Sequence, residues 1–356
     1  MKQAESSLSQ WISTVIAESP VSDVLALDGK RLMLTPLAGD AGFRRYYRVN
    51  TRPESLLVDA PQDSGNSESA RYFADLSGIL RSQHVNTPAI YACDETANRL
   101  LIESFGSTDL LDVLSSETVD GHYSSALFIL LKLQQVPRSV LSLPRYDDSL
   151  LRQEMALFPE WFSRELLGYR LLPEEEALFH ELCDSLVAQA LEQPQVLVHR
   201  DYHSRNLMYQ ASAELGVIDF QDAVWGPITY DLVSLLRDCY VRWSPVEVKR
   251  WALAYGELAH DAGVMPEVPP QQFLQWFDLM GLQRHIKVLG IFARLHLRDG
   301  KSRYLENLPL VIRYVVDVAR QYPQTQAFAD FFEEKLLPLA AQQAWYQDYA
   351  TAGDRK

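Results

Sequence analysis

Apolar positions near the start of the chain fall at Leu8, Trp11, Ile12, Val15 and Ile16, the i, i+3, i+4, i+7, i+8 recurrence of an amphipathic helix. Its polar face carries glutamates and serines rather than lysines, so the helix is expected to pack on a domain and not on a membrane surface. The pattern then changes period. "RLMLTPLAGDAGFRRYYRV" reads as strand, glycine-containing turn, strand, and "SLLVDAP" as a third strand ended by proline. Helical spacing returns in "SESARYFADLSGILRSQHV", with Tyr72, Phe73, Leu76, Ile79 and Leu80 on one face. "TPAIYACD" and "RLLIESFG" are expected to form a hairpin around the polar "ETAN" turn.

At Phe105-Gly106 the character shifts to helix, interrupted by the short apolar runs "QVLVHRD" and "LGVIDFQD", which are expected to pair as a hairpin. No repeat, low-complexity tract or long linker is visible, and "MPEVPPQQF" reads as a loop between helices. The expectation is an α+β chain with a small β-rich lobe over residues 1–105 and a larger, mostly helical lobe over 106–356. At 356 residues, division into two lobes also suits the size at which one core stops growing.

Composition narrows the partners. With 47% hydrophobic and 22% charged residues the chain has material for a core, and a net charge of −14 argues against a nucleic-acid binder. Small anions stay possible, because a pocket can be locally positive on an acidic protein. Three scattered cysteines, Cys93, Cys183 and Cys239, point to a reducing compartment without a disulfide framework. No apolar run is long enough to span a bilayer, and a cytoplasmic location is expected.

The densest chemistry is "VLVHRDYHSRNLMY", where polar residues crowd the end of an apolar run. Phosphoryl transfer needs a carboxylate to orient the acceptor hydroxyl and take its proton, and oxygen ligands for a hard cation. His199-Arg200-Asp201 followed by Asn206 supplies the spacing H-R-D-x-x-x-x-N, and Asp219 in "GVIDF" is the second carboxylate. An aspartate or asparagine alone in a loop is ordinarily a turn former; the shared spacing and the second strand end distinguish these three. A zinc reading of the alternating His199, Asp201 and His203 finds no further paired ligands among the remaining histidines and cysteines.

This spacing resembles the protein-kinase catalytic loop and metal-binding aspartate, and "HRDYHSRNLM…IDFQDAVWGPITYDL" resembles the aminoglycoside-phosphotransferase branch. That branch places a histidine after the catalytic aspartate and an aspartate at the head of the next helix, here His203 and Asp231. "GDAGFRRYYRV", "DAPQD" and "QRHIKVLGIFARLHLRDGKSRYL" are similar to amino-sugar kinases of bacterial cell-wall recycling. The resemblance implies a protein-kinase-like bilobal fold, ATP and Mg²⁺ as cofactors, and transfer to the anomeric (C1) hydroxyl of N-acetylmuramate or N-acetylglucosamine in peptidoglycan recycling. Asp201 would be the base, and Asn206 and Asp219 the metal ligands. Asp231 is expected to bond loop amides rather than react, and His199 to brace the loop.

The nucleotide end departs from the pattern. Gly39 and Gly42 would cover the phosphates, but "SLLVDAP" has Val58 and Asp59 where kinases carry a lysine. Arg44, Arg45 and Arg48 are the available cations, and Glu68 then lacks its usual lysine partner. "LLIESFG" resembles the hinge, with Glu103 to Phe105 meeting adenine. For the acceptor, candidates are His203, Gln221, Trp225, Glu154, Trp161, Arg284, His285, Lys287 and Arg294; one arginine would suit a lactyl carboxylate. An aminoglycoside kinase is the alternative within the class, disfavoured by the basic 280–301 stretch, and a pseudokinase the alternative outside it. The expected partner is a small amino sugar, with no nucleic acid and no membrane. The oligomeric state is left open.

Overall fold

The computed structural model describes residues 2–18, 20–29, 31–37, 44–60, 69–211 and 214–354. They form two compact units, Met1–Ser142 with Arg205–Asp222, and Leu143–Ser204 with Ala223–Lys356. The change of character at Phe105-Gly106 falls just after a strand, and the first unit runs on through the helix Val119–Gln134.

In the first unit an antiparallel five-stranded sheet runs in the order Leu34–Leu37, Arg45–Val49, Ser55–Asp59, Arg99–Glu103, Ile90–Asp94. Alternation sets its faces. Leu57 sits opposite Tyr47 and Leu101, and packs with Val49 and Leu101 against Leu8 and Ile12 of the first helix, Lys2–Ala17. The helix Ala70–Ser82 begins where the Ser69 hydroxyl accepts the Tyr72 amide at 3.1 Å, and it buries Phe73, Leu76 and Leu80. Leu207–Met208 pairs with Gly216–Val217 in a short ladder, fastened by the Val217 amide on the Asn86 carbonyl at 2.8 Å. Gly216 is required there, since a Cβ would lie 2.2 Å from the Phe105 ring.

The second unit is built around the helix Pro270–Leu297, 28 residues long and buried over most of its length. Gly290 lets it approach the π-helical segment Phe158–Leu166; a Cβ there would stand 2.4 Å from the Leu157 carbonyl carbon. Phe158 stacks with Phe162 and Phe179 at 5.6 and 5.4 Å between ring centres. Gln195–Val198 pairs with Val224–Pro227, fully buried.

That last pairing corrects one expectation. "QVLVHRD" and "LGVIDFQD" do not pair with each other. Val196, Leu197 and Val198 are buried and take an equally apolar partner, "VWGP", while Val217 pairs across the short ladder with Leu207. Among the described residues no helix is long and apolar enough to cross a membrane.

Candidate active site

The candidate residues fall in two groups, one in each unit. In the second unit the strand Gln195–Val198 delivers the loop that begins at His199. The Asp231 carboxylate, buried in the helix Thr229–Leu236, accepts the His199 amide at 2.6 Å and the Arg200 amide at 3.0 Å. Burial pushes that carboxyl up to about 7, against the pull of the two amides. Farther along, buried Asp238 accepts the amide of Ser204 at 3.0 Å and its hydroxyl as well. Arg200 has a φ of 77°, unusual for a residue with a Cβ, and is held there by its amide bond to Asp231 and its guanidinium bond to Glu154.

Asp201 therefore hangs on a braced backbone. Its amide donates to His199 Nδ1 at 3.3 Å and its carbonyl accepts the His203 amide at 3.0 Å. Burial would raise its carboxyl, but Lys287, His203, His199 and Arg284 together hold it below the ordinary carboxylate range.

Lys287 is itself buried, and its Nζ meets Glu154 Oε1 at 2.9 Å and donates to the Tyr230 hydroxyl at 2.9 Å. Glu154, considered as a sugar contact, has its carboxylate occupied by Lys287, Arg200 and the Tyr146 hydroxyl. Burial raises it, and Lys287 and Arg200 bring it below its usual range. His203 lies edge-on to Tyr240 at 5.5 Å, with Nδ1 buried and unpartnered. Arg294 is half-buried; burial and Arg298 push it down, and its other charged neighbours are Asp299 and Glu160, outside the loop.

In the first unit Asn206 Nδ2 stands 3.4 Å from Asp219 Oδ2, and Gln221 Nε2 donates to Asp219 Oδ1 at 2.7 Å. Asp219 is exposed and has a φ of 65°, again left-handed without a glycine. The next residue, Phe220, packs with its ring tilted against Phe73 at 4.8 Å between ring centres, and Arg44 lies over the Phe73 ring at 5.4 Å. Tyr46 is pushed up by burial, pulled down by Arg44 and pushed up again by Asp219, so the hairpin arginine and the carboxylate share one neighbourhood. Arg48 pairs with Glu54 at 3.4 Å, and Arg45 is exposed opposite Asp59 in the sheet register. Asp59 is taken by Arg99 at 2.9 Å.

Gly39, Gly42 and Glu68 lie outside the described residues. At the expected hinge the Glu103 amide donates to Ala89 O at 2.8 Å and the Ser104 amide to Glu54 O at 3.1 Å. The Glu103 carboxylate is bonded to the Ala89 amide at 3.0 Å. Among the described residues the Phe105 amide has no acceptor.

A carboxylate and an amide oxygen, with no sulfur or imidazole, form a donor set fit for a hard divalent ion that fills its remaining positions with phosphate oxygens and water. Among the described residues no group of three or more His, Cys, Asp or Glu is placed to hold a metal, so the alternating His199, Asp201 and His203 do not make a zinc site. Sequence reading missed Asp238, Tyr146 and Tyr230. Their signal was indirect: Arg284, His285 and Lys287 stand in a helix that is buried over most of its length, and charges inside a core require polar partners elsewhere.

The five-stranded sheet, the following helices and the two braced aspartate segments define an α+β, protein-kinase-like chain. The model of the phosphotransferase enzyme family matches residues 34–270, and the chain belongs to that family. It is 40% identical over 302 residues to the N-acetylmuramate/N-acetylglucosamine kinase of Pseudomonas putida, covering 85% of this chain and 88% of that one. The kinase of the same name from Pseudomonas aeruginosa is 42% identical over 312 residues, with 87% and 90% covered. Among solved structures, the GDP complex of wild-type aminoglycoside 2′-phosphotransferase-IIIa superposes with a TM-score of 0.58 at 17% identity, over 86% of this chain and 98% of that one, a likeness of fold.

Proposed function

We propose that this phosphotransferase moves the γ-phosphoryl group of ATP to the C1 hydroxyl of N-acetylmuramate and N-acetylglucosamine, in the cytoplasmic recycling of peptidoglycan sugars. The observation that carries the reaction type is the state of Asp201: a carboxylate kept anionic by Lys287, Arg284 and two histidines, on a backbone clamped by Asp231 and Asp238. Similarity to the two Pseudomonas kinases supports the acceptor.

Asp201 acts as the base. It accepts a hydrogen bond from the acceptor hydroxyl, orients the oxygen for in-line attack, and takes the proton as the new P–O bond forms and the bond to the leaving diphosphate breaks. Asn206 and Asp219 would hold Mg²⁺, which neutralises phosphate charge when bound. Gln221 keeps Asp219 turned by donating to Oδ1. Arg44 takes the part of the absent strand lysine, since of the three hairpin arginines it shares its surroundings with Asp219. The Phe105 amide is the donor left for an adenine nitrogen.

The test is a panel: purified protein, Mg-ATP, the two amino sugars and several aminoglycosides, with ADP release and ³¹P NMR as readouts. The reading expects ADP formation with the amino sugars and a phosphorus signal coupled to the anomeric proton. Turnover restricted to aminoglycosides, or phosphate on another hydroxyl, overturns it.

A further inference from the structure

Among the described residues of the second unit, buried Lys287 and partly buried Arg200 and Arg237 are each paired with a carboxylate. Arg200 and Lys287 share Glu154, and Arg237 is paired with Asp278. Arg284 is the exception. It is 4% exposed, in the middle of the long helix, and its hydrogen-bond partner is the Cys239 sulfur, 3.6 Å from Nη1. Among the described residues no carboxylate forms an ion pair with it. A guanidinium has five N–H donors in a planar fork, and a thiol is a weak acceptor for one of them. Burying so under-used a cation is strongly unfavourable unless an anion arrives to meet it.

Its surroundings say where that anion would come from. The groups that support its charge against burial are Cys239, Tyr230 and Asp201, so it stands in the electrostatic reach of the carboxylate assigned as base. The other cations considered for the acceptor do not compete. Lys287 is already paired with Glu154 and bonded to Tyr230, and the charges around Arg294 are Arg298, Asp299 and Glu160.

We infer that Arg284 is the specificity residue for an acidic acceptor, its fork receiving the lactyl carboxylate that N-acetylmuramate carries and N-acetylglucosamine lacks; this rests on the amino-sugar reading above. The ion pair would be bidentate, and it would add to the recognition both sugars share.

The experiment compares N-acetylmuramate, its lactyl amide and N-acetylglucosamine as acceptors for the wild-type protein and for Arg284→Met and Arg284→Lys. A charged hydrogen bond of ordinary strength corresponds to a kcat/KM about 10- to 100-fold higher for the acid than for the amide in the wild type. In Arg284→Met that ratio is expected to collapse toward one, and Arg284→Lys to recover part of it. A loss common to all three sugars is expected as well, because Arg284 helps hold Asp201 ionised; an acid-to-amide ratio in Arg284→Met as high as in the wild type would overturn the inference and leave Arg284 only that supporting role. Equal turnover of acid and amide by the wild type would overturn it too, whatever the variants' folding. A wild type inactive on both natural sugars would remove the functional reading and this inference together, whereas an active but indifferent one removes only the latter.

Discussion

The loop around Asp201 and the segment around Asp219 carry one carboxylate each, in opposite surroundings. Asp201 belongs to a region where the His199, Arg200 and Ser204 amides end on buried carboxylates and Arg200 and Lys287 share Glu154. Asp219 is exposed, and the side-chain amides of Gln221 and Asn206 stand at its carboxylate, where a cation can reorganise them. The difference matches two duties. A base must keep one position and one charge, so rigid backbone anchors and fixed cations serve it. A metal ligand, the duty proposed for Asp219, must exchange partners when ion and nucleotide arrive, and an exposed carboxylate met by movable side-chain amides serves that.

Breaking the first region should have the larger effect. Asp201→Asn is expected to lower kcat by about 10²- to 10⁴-fold without changing the Mg²⁺ requirement, whereas Asn206→Ala should raise the Mg²⁺ concentration needed for half-maximal rate. Steady-state assays with Mg²⁺ titration check both. A Mg²⁺ dependence altered by Asp201→Asn as much as by Asn206→Ala would erase the contrast.

Lys287→Met leaves Glu154 with Arg200 and the Tyr146 hydroxyl and is expected to destabilise the protein by about 1.5–3 kcal/mol, measured by urea unfolding. Because Glu154 is held below its ordinary range, the pair's contribution is present above about pH 4.3 and disappears as pH falls through the lower folded value. The gap between wild type and variant should therefore narrow in acid. The acid limb of the kcat/KM profile should also move to higher pH, since Asp201 loses a cation that keeps it ionised.

The smallest effects belong to the open region. Arg44→Ala is expected to raise the KM for ATP by about 10-fold, and Arg45→Ala, exposed on the strand, by less than about 2-fold. Equal effects from the two would mean that the hairpin offers only a diffuse positive charge.

Much of this was legible before any coordinates. The alternation in "SLLVDAP" and "RLLIESFG", the helical spacing of Leu8 and Ile12, and the interval from Asp201 to Asn206 are local patterns, and local patterns survive in a linear text. Asp231 was also readable as the carboxylate that bonds loop amides, because its place at the start of a helix is a local property. The pairing of the two apolar runs was not readable, since Val198 and Val217 look alike in sequence and differ only in which partner strand reaches them. The partners of Glu154 were not readable either, since nothing near it in sequence shows that Lys287 and Arg200 come to its carboxylate.

By itself, then, the sequence determined the element types and the β-to-helix order, and it named the residues proposed as base and metal ligands. These depend on side-chain chemistry and on short-range periodicity. Tertiary structure decided which charges are paired, which backbone is strained into position, and that Arg284 alone among the described cations near Asp201 has no carboxylate in its own ion pair. Those outcomes depend on burial and on contacts between segments far apart in the chain, where the energy of a charge is set by what lies around it rather than by its neighbours in sequence.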